Sequence, residues 1–215
     1  MSDQRPRWQP PKLTFRRLSG LDRSGPPPPQ TQPGAPLNPW TVPNAIGFVR
    51  LALIPVFVAV AWHSGDGTDG TAALLFALVA WGDYADGIAA RVLKQYSRLG
   101  ALMDPVVDRL LVICGVVVVW HFELLPRWAL ALLIAREVLL LLGGRWAQQR
   151  GVPLNINYVG RLAVWPTMSA IFFALVGLET LAEVLLYIGL AMSYAAAVQY
   201  ARDVKAQLQQ GSTSG

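Results

Sequence analysis

Cysteine is nearly absent: Cys114 is the only one among 215 residues, so neither a disulfide framework nor a cysteine-based metal site can be built within the chain. Histidine is almost as scarce. His63 and His121 both fall at the expected outer ends of apolar stretches, where they read as interfacial residues rather than ligands. Charge is thin as well, at 14% of residues against roughly 25% in an average soluble domain. With 53% hydrophobic residues, that balance excludes an ordinary soluble domain and indicates an integral membrane protein with short loops. The formal net charge is +5, but the basic residues form no domain-sized patch. Nucleic acid is therefore not expected as a partner, and an anionic lipid surface accounts for them better.

Proline is unevenly spread, with ten of the sixteen in residues 1–40, including the run Pro26 to Pro29. No hydrophobic core of a signal peptide stands there. The region is expected to be a disordered cytoplasmic tail with polyproline character. Its segment from Lys12 to Leu18 is the one piece suited to an anionic membrane surface, although a solvated tail is the simpler expectation. A membrane domain then covers 41–203, and 204–215 is expected as a polar C-terminal tail.

Six hydrophobic stretches follow, near 44–62, 71–92, 101–121, 128–147, 160–178 and 181–200. Each approaches the roughly 20 residues needed to cross a bilayer. The expected fold is an all-α integral membrane protein with six transmembrane helices and a disordered N-terminal tail. Thr41-Val42-Pro43-Asn44 reads as a helix start, since proline is tolerated in a first turn. Pro55 and Pro166 are expected inside spans, as kinks. With six spans, both termini and the loops near 92–100 and 145–160 share one side. That side gathers most of the bases, among them Arg16, Arg17, Arg50, Arg91, Lys94, Arg98, Arg145, Arg150 and Arg202. Asp66, Asp69, Glu123, Glu179 and Glu183 fall opposite, with Arg127. The positive-inside rule places the basic side in the cytoplasm of a plasma-membrane protein. Most tryptophans, such as Trp62, Trp120, Trp128 and Trp146, fall near span ends as an aromatic belt.

Against this background four aspartates stand out: Asp83 and Asp86 in WGDYADGIAAR, Asp104 and Asp108 in GALMDPVVDRL. A charge at the centre of a membrane helix costs about 2.5 kcal/mol or more, and four carboxylates would repel one another. Spacings of three and four residues put each pair on one helix face with Cβ atoms about 5–6 Å apart. Two antiparallel helices would converge all four at the cytoplasmic interface. The economical offset is a pair of divalent cations. Hard oxygen donors suit Mg²⁺, Mn²⁺ or Ca²⁺, and two-ion sites serve phosphoryl-type displacement. Gly87 and Ala90 share a face with Asp83 and Asp86, and Gly100 lies one turn before Asp104. These small residues leave clearance for a ligand, or allow close helix packing. Arg91 can fork onto a phosphate.

The block Asp83-x2-Asp86-Gly87-x2-Ala90-Arg91-x8-Gly100-x3-Asp104-x3-Asp108 resembles the signature of the CDP-alcohol phosphatidyltransferases at every fixed position and spacing. The resemblance covers roughly residues 41–203. It implies a six-helix homodimer using two divalent ions, Mg²⁺ or Mn²⁺, to hold the pyrophosphate of a CDP-linked lipid. It also implies that Asp83, Asp86 and Asp104 are metal ligands, with Asp108 as general base and further ligand. Asn44, Asp83, Gly87, Ala90, Arg91 and Gly100 would contact the CDP-lipid. The implied reaction passes a phosphatidyl group from CDP-diacylglycerol to an acceptor hydroxyl with release of CMP. Pro43-Asn44 through Arg50 resembles the family's opening Pro-Asn…Thr…Arg pattern, with Gly47 where the threonine usually stands. Arg136-Glu137 and Gly160-Arg161 resemble elements of the glycerophosphate-using and cardiolipin-forming branches. Arg109, Arg136 and Arg161 are thus candidates to cradle an acceptor phosphate, although Arg136 could simply pair with Glu137. Glycerol 3-phosphate is the first expected acceptor and phosphatidylglycerol the alternative. The rival of another class is a transporter with an intramembrane carboxylate site. It would spread its acids along a path instead of clustering them within 26 residues.

Overall fold

A computed structural model gives the structure over residues 28–32, 34–149 and 162–213. Most of the expected disordered tail, residues 1–27, lies outside the described residues. The fold is that of an all-α membrane protein: six helices and one short 3-10 turn, Pro29–Thr31, with no strand among the described residues. The helices are α1 (Val42–His63), α2 (Gly70–Leu93), α3 (Arg98–His121), α4 (Arg127–Gln149), α5 (Val164–Leu175) and α6 (Glu179–Thr213).

Local chemistry explains the boundaries. Thr41 Oγ1 accepts the Asn44 N–H at 3.3 Å, capping α1, with Pro43 in the first turn. Asp69 Oδ1 accepts the Ala72 N–H at 2.7 Å and caps α2. Gly65 and Gly67 provide the left-handed residues of the connector before it. Helix α5 ends in a Schellman arrangement around Gly177, whose φ is +84°. Leu178 N–H donates to Phe173 O at 2.9 Å and Gly177 N–H to Ala174 O at 3.0 Å.

Three helices are long and apolar enough to cross a membrane: α1, α2 and the Glu179–Gln199 part of α6. Helices α3 and α4 have comparable length but carry Asp104, Asp108 and Arg109, or Arg136 and Glu137, in their interiors. At 1.5 Å per residue they are about 36 and 35 Å long, enough for a core of about 30 Å. Helix α5 has 12 residues, about 18 Å, and is shorter than the span expected over 160–178. Residues 160 and 161 lie outside the described residues. Pro166 is the third residue of α5 as bounded here, and the start of the expected span, which bears on a mid-span kink, lies outside the described residues. Pro55 does lie inside α1, and Pro105 inside α3. The last helix runs on to Thr213 through most of the stretch expected as a polar tail.

The chain forms two compact units. One holds residues up to Ala59 together with Leu74–Cys114. Its core sets Phe57 against Phe76, ring centres 5.5 Å apart, and Val79, Val107 and Leu111 of the same unit are also buried. The other holds Val60–Ala73 and the residues from Gly115 onward. There α5 lies against α6 by small-residue packing. A Cβ at Gly189 would stand 2.5 Å from Thr167 Oγ1 and 3.0 Å from its backbone nitrogen, so only glycine permits that approach. Tyr194 O–H donates to Leu132 O at 3.0 Å and ties α6 to α4.

Candidate active site

The first unit contains an arginine where an apolar helix should have none. Arg50 lies two turns into α1 and is 2% exposed. An unpaired guanidinium at that depth would be strongly unfavourable, and every arm of this one is engaged. Nε donates to Val79 O at 2.9 Å. Nη1 donates to Asp86 Oδ2 at 2.8 Å and, at longer range, to Asp83 Oδ1 at 3.4 Å. Nη2 donates to Asp108 Oδ1 at 2.6 Å. Gly82 makes this possible, because a Cβ there would meet Arg50 Cδ at 2.7 Å and Cγ at 2.8 Å. Arg50 thus lies in the interior of the unit, not among the loop bases with which its charge was first grouped.

The carboxylates fall as their spacing predicts. Asp83 and Asp86 share one face of α2 and reach the same guanidinium nitrogen, while Asp108 reaches the other from α3. Asp104, half-buried, is close enough to Asp83, Asp86 and Asp108 for mutual electrostatic interaction. The four acids therefore converge in one place. Asp86 is buried, while the side chains of Asp83 and Asp108 are 46% and 45% exposed. Among the described residues no three acidic, histidine or cysteine side chains are closed into a ready metal cage. Here the acids are spread around a guanidinium. The donor set nevertheless fits divalent cations: all donors are hard oxygens, and the four carboxylates outnumber the one guanidinium, which bonds to three of them.

The small residues have more specific neighbours than their spacing reveals. A Cβ on Gly87 would lie 3.3 and 3.4 Å from the two terminal nitrogens of Arg91, so the Arg91 guanidinium rests over that glycine. A Cβ on Gly100 would lie 2.8 Å from Asn44 Oδ1 and 3.1 Å from Ser97 Oγ. Asn44 itself is buried. Its Nδ2 donates to Asn38 O and Pro39 O, both at 3.0 Å, and its Oδ1 accepts from Ser97 O–H at 2.7 Å. Ser97 Oγ in turn caps α3 through the Gly100 N–H at 2.9 Å. The segment before α1 is held by the same frame, since Leu99 N–H donates to Leu37 O at 3.2 Å and Arg98 Nη1 to Ala35 O at 3.3 Å. Ala90 is half-buried, and its carbonyl accepts the Gln95 N–H at 3.1 Å. Gly47, the position where a threonine was expected, faces Met103, whose methyl group fills the vacant side-chain volume.

The three candidate acceptor residues stand differently. Arg109 is exposed on α3 beside Asp108. Arg136 is half-buried on α4 and pairs with Glu137 at 2.8 Å. Arg161 lies outside the described residues. Sequence reasoning named Arg50 among the bases and within the opening Pro-Asn…Thr…Arg resemblance, without a role in the carboxylate site, and missed Ser97. The signal for Arg50 was available: a base deep in an apolar span demands acidic partners, and four unpaired acids stood in the next two helices.

Comparison with known proteins shows what the chain is similar to. A Mycobacterium tuberculosis protein provisionally named a cardiolipin synthase is 41% identical over 129 residues, 60% of this chain and 61% of its own length. A Streptomyces coelicolor protein named cardiolipin synthase (CMP-forming) is 37% identical over 134 residues, 60% of this chain and 62% of its own. The match therefore spans about three fifths of these relatives' length. A Bacillus subtilis protein named CDP-diacylglycerol--glycerol-3-phosphate 3-phosphatidyltransferase is 30% identical over 149 residues, 61% of this chain and 75% of its own. The family model for CDP-alcohol phosphatidyltransferase matches residues 40–195, which include α1 to α5 and the whole carboxylate block, and the chain belongs to that family.

Proposed function

We propose that this protein transfers the phosphatidyl group of CDP-diacylglycerol to an acceptor hydroxyl and releases CMP, as a step of glycerophospholipid synthesis. The observation that carries this reading is the convergence of Asp83, Asp86, Asp104 and Asp108 in a chain of this family. Asp108 acts as general base. Arg50 engages its Oδ1 and fixes the carboxylate, so that Oδ2 can take the acceptor's proton. The freed acceptor oxygen bonds to the lipid-side phosphorus, and the bond from that phosphorus to the CMP oxygen breaks. Arg91, resting over Gly87 with Ala90 beside it, binds the pyrophosphate and orients it for displacement. Asn44 and Gly100 hold the starts of α1 and α3 together as the frame of this cleft. Asp83, Asp86, Asp104 and Asp108 would hold two divalent ions, Mg²⁺ or Mn²⁺, which supply electrostatic stabilisation of the phosphate oxygens.

The acceptor is an alcohol that itself bears a phosphate. Glycerol 3-phosphate is the acceptor first expected from the bases Arg109, Arg136 and Arg161 in the sequence. Phosphatidylglycerol also bears a phosphate, and one comparison favours it. Identity is 37–41% over 60% of this chain to relatives named cardiolipin synthases, against 30–31% over 61–78% to relatives named for glycerol 3-phosphate transfer. Phosphatidylglycerol is therefore the acceptor we assign, with cardiolipin as product. The positive-inside distribution supports a cytoplasmic cleft in the plasma membrane, and the family resemblance is our ground for proposing a homodimer. The test is an acceptor panel. Vesicles containing the protein, CDP-diacylglycerol and Mg²⁺ or Mn²⁺ receive phosphatidylglycerol or glycerol 3-phosphate, and CMP and lipid products are separated. CMP with cardiolipin supports the assignment, and CMP with phosphatidylglycerophosphate reassigns the acceptor. Absence of both, with solute or ion flux across the vesicles, would point to transport.

A further inference from the structure

We propose that Arg50 is a built-in counter-ion that positions Asp83, Asp86 and Asp108 while their cation is absent, and so sets how far the domain depends on that cation for stability. The inference rests on reading the carboxylates as a divalent-cation site, and it assigns to α1 a part in a site otherwise built from α2 and α3. Three observations carry it. The guanidinium is buried and anchored by Nε on the Val79 carbonyl, so it is not a mobile side chain that happens to lie nearby. Its two outer nitrogens divide their bonds between acids of two helices. Lysine could not reproduce that fork. Finally, Asp86 is buried with Arg50 as its hydrogen-bonded charge partner, and a buried carboxylate stripped of its partner is strongly destabilising.

A simple helix staple would have the same geometry, and the two roles separate in their response to cation. If Arg50 only staples α1 to α2 and α3, its loss costs the same whether or not cation is present. As a counter-ion, its loss is largely made good by cation, because both offset the charge of the same carboxylates.

The experiment uses the full-length protein in lipid nanodiscs without substrate. It follows thermal unfolding with and without saturating Mn²⁺, and bound Mn²⁺ by electron paramagnetic resonance. Arg50→Gln should lower the unfolding temperature by on the order of 10 °C without Mn²⁺. Its Mn²⁺-induced rise should be roughly twofold or more larger than that of the wild type, with Arg50→Lys in between. Should Arg50→Gln fail to fold without Mn²⁺, the double variant Arg50→Gln/Asp86→Asn, which also removes the stranded buried charge, should restore folding. An equal loss with and without Mn²⁺, or no restoration in the double variant, overturns the counter-ion role and leaves the cation site standing. A wild-type protein that binds no Mn²⁺ overturns both.

Discussion

Arg50 Nη2 on the first helix lies 2.6 Å from Asp108 Oδ1 on the third, a charge-assisted bond that fixes the carboxylate proposed as general base. Replacing that base with its amide keeps the shape and the acceptor oxygen. Asp108 is also half exposed, so the fold should survive. Asp108→Asn is expected to lower CMP release by about 10²–10⁴-fold, with a smaller fall in unfolding temperature than for Asp86→Asn because Asp108 is the more exposed of these two partners of Arg50. A variant retaining wild-type turnover would move the base elsewhere.

Asp104 differs from its neighbours in a way that makes it the cleaner probe of cation binding. Arg50 bonds to Asp83, Asp86 and Asp108, so removing the Asp104 charge breaks none of those pairs. Asp104→Asn should cost roughly a hundredfold or more in CMP release and weaken the Mn²⁺ dependence of activity, with the apo protein no less stable. Asp86→Asn, by contrast, should lose stability together with activity, because it leaves the buried guanidinium short of a partner.

Gly82 should tolerate no side chain. A methyl group there would press on Arg50 at 2.7–2.8 Å. Gly82→Ala is expected to destabilise by about 1–3 kcal/mol, the usual cost of overpacking, and to reduce activity by displacing Arg50 from the acids. Gly143, with open space around its Cβ position, is the control. Gly143→Ala should stay within about 1 kcal/mol of the parent. Thermal unfolding of both variants side by side checks the contrast.

Asn44 distinguishes a framing role from ligand contact. Its amide bonds to Asn38 O, Pro39 O and Ser97 Oγ, so Asn44→Ala leaves several buried groups unpaired. A stability loss of about 1–3 kcal/mol follows, with KM for CDP-diacylglycerol changed less than twofold or so at a temperature where the variant is folded. A large rise in KM with unchanged stability would instead make Asn44 a direct contact to the lipid nucleotide.

Much of this architecture was legible in the chain because the bilayer enforces it. Apolar runs near 20 residues located α1 to α4 and the membrane part of α6, and three- and four-residue spacings predicted which acids share a face. The fifth helix was harder. Its Pro166 was read as a kink within a span over 160–178, and the start of that span lies outside the described residues. The continuation of α6 to Thr213 was missed because polarity was read as an end of structure, although Lys, Gln and Ala all favour helix. Within the site, spacing brought the four acids together but could not show what lies between them. The pairing of Arg50 joins residues 33 to 58 positions apart, and such a contact leaves no local pattern. Gly100 was read as ligand clearance or close helix packing, and a Cβ there would meet Asn44 and Ser97, again a contact between helix starts remote in sequence.

The most direct measurement follows the lipid-side phosphorus itself. CDP-diacylglycerol carrying ³²P only at that phosphate is incubated with the protein in vesicles, a divalent cation and the acceptor. Transfer as proposed puts all the label into the new phospholipid and none into CMP, and stops when the acceptor is omitted. Label that remains in CDP-diacylglycerol, or that leaves the lipid with the nucleotide, would contradict phosphatidyl transfer at the Asp83–Asp108 cluster.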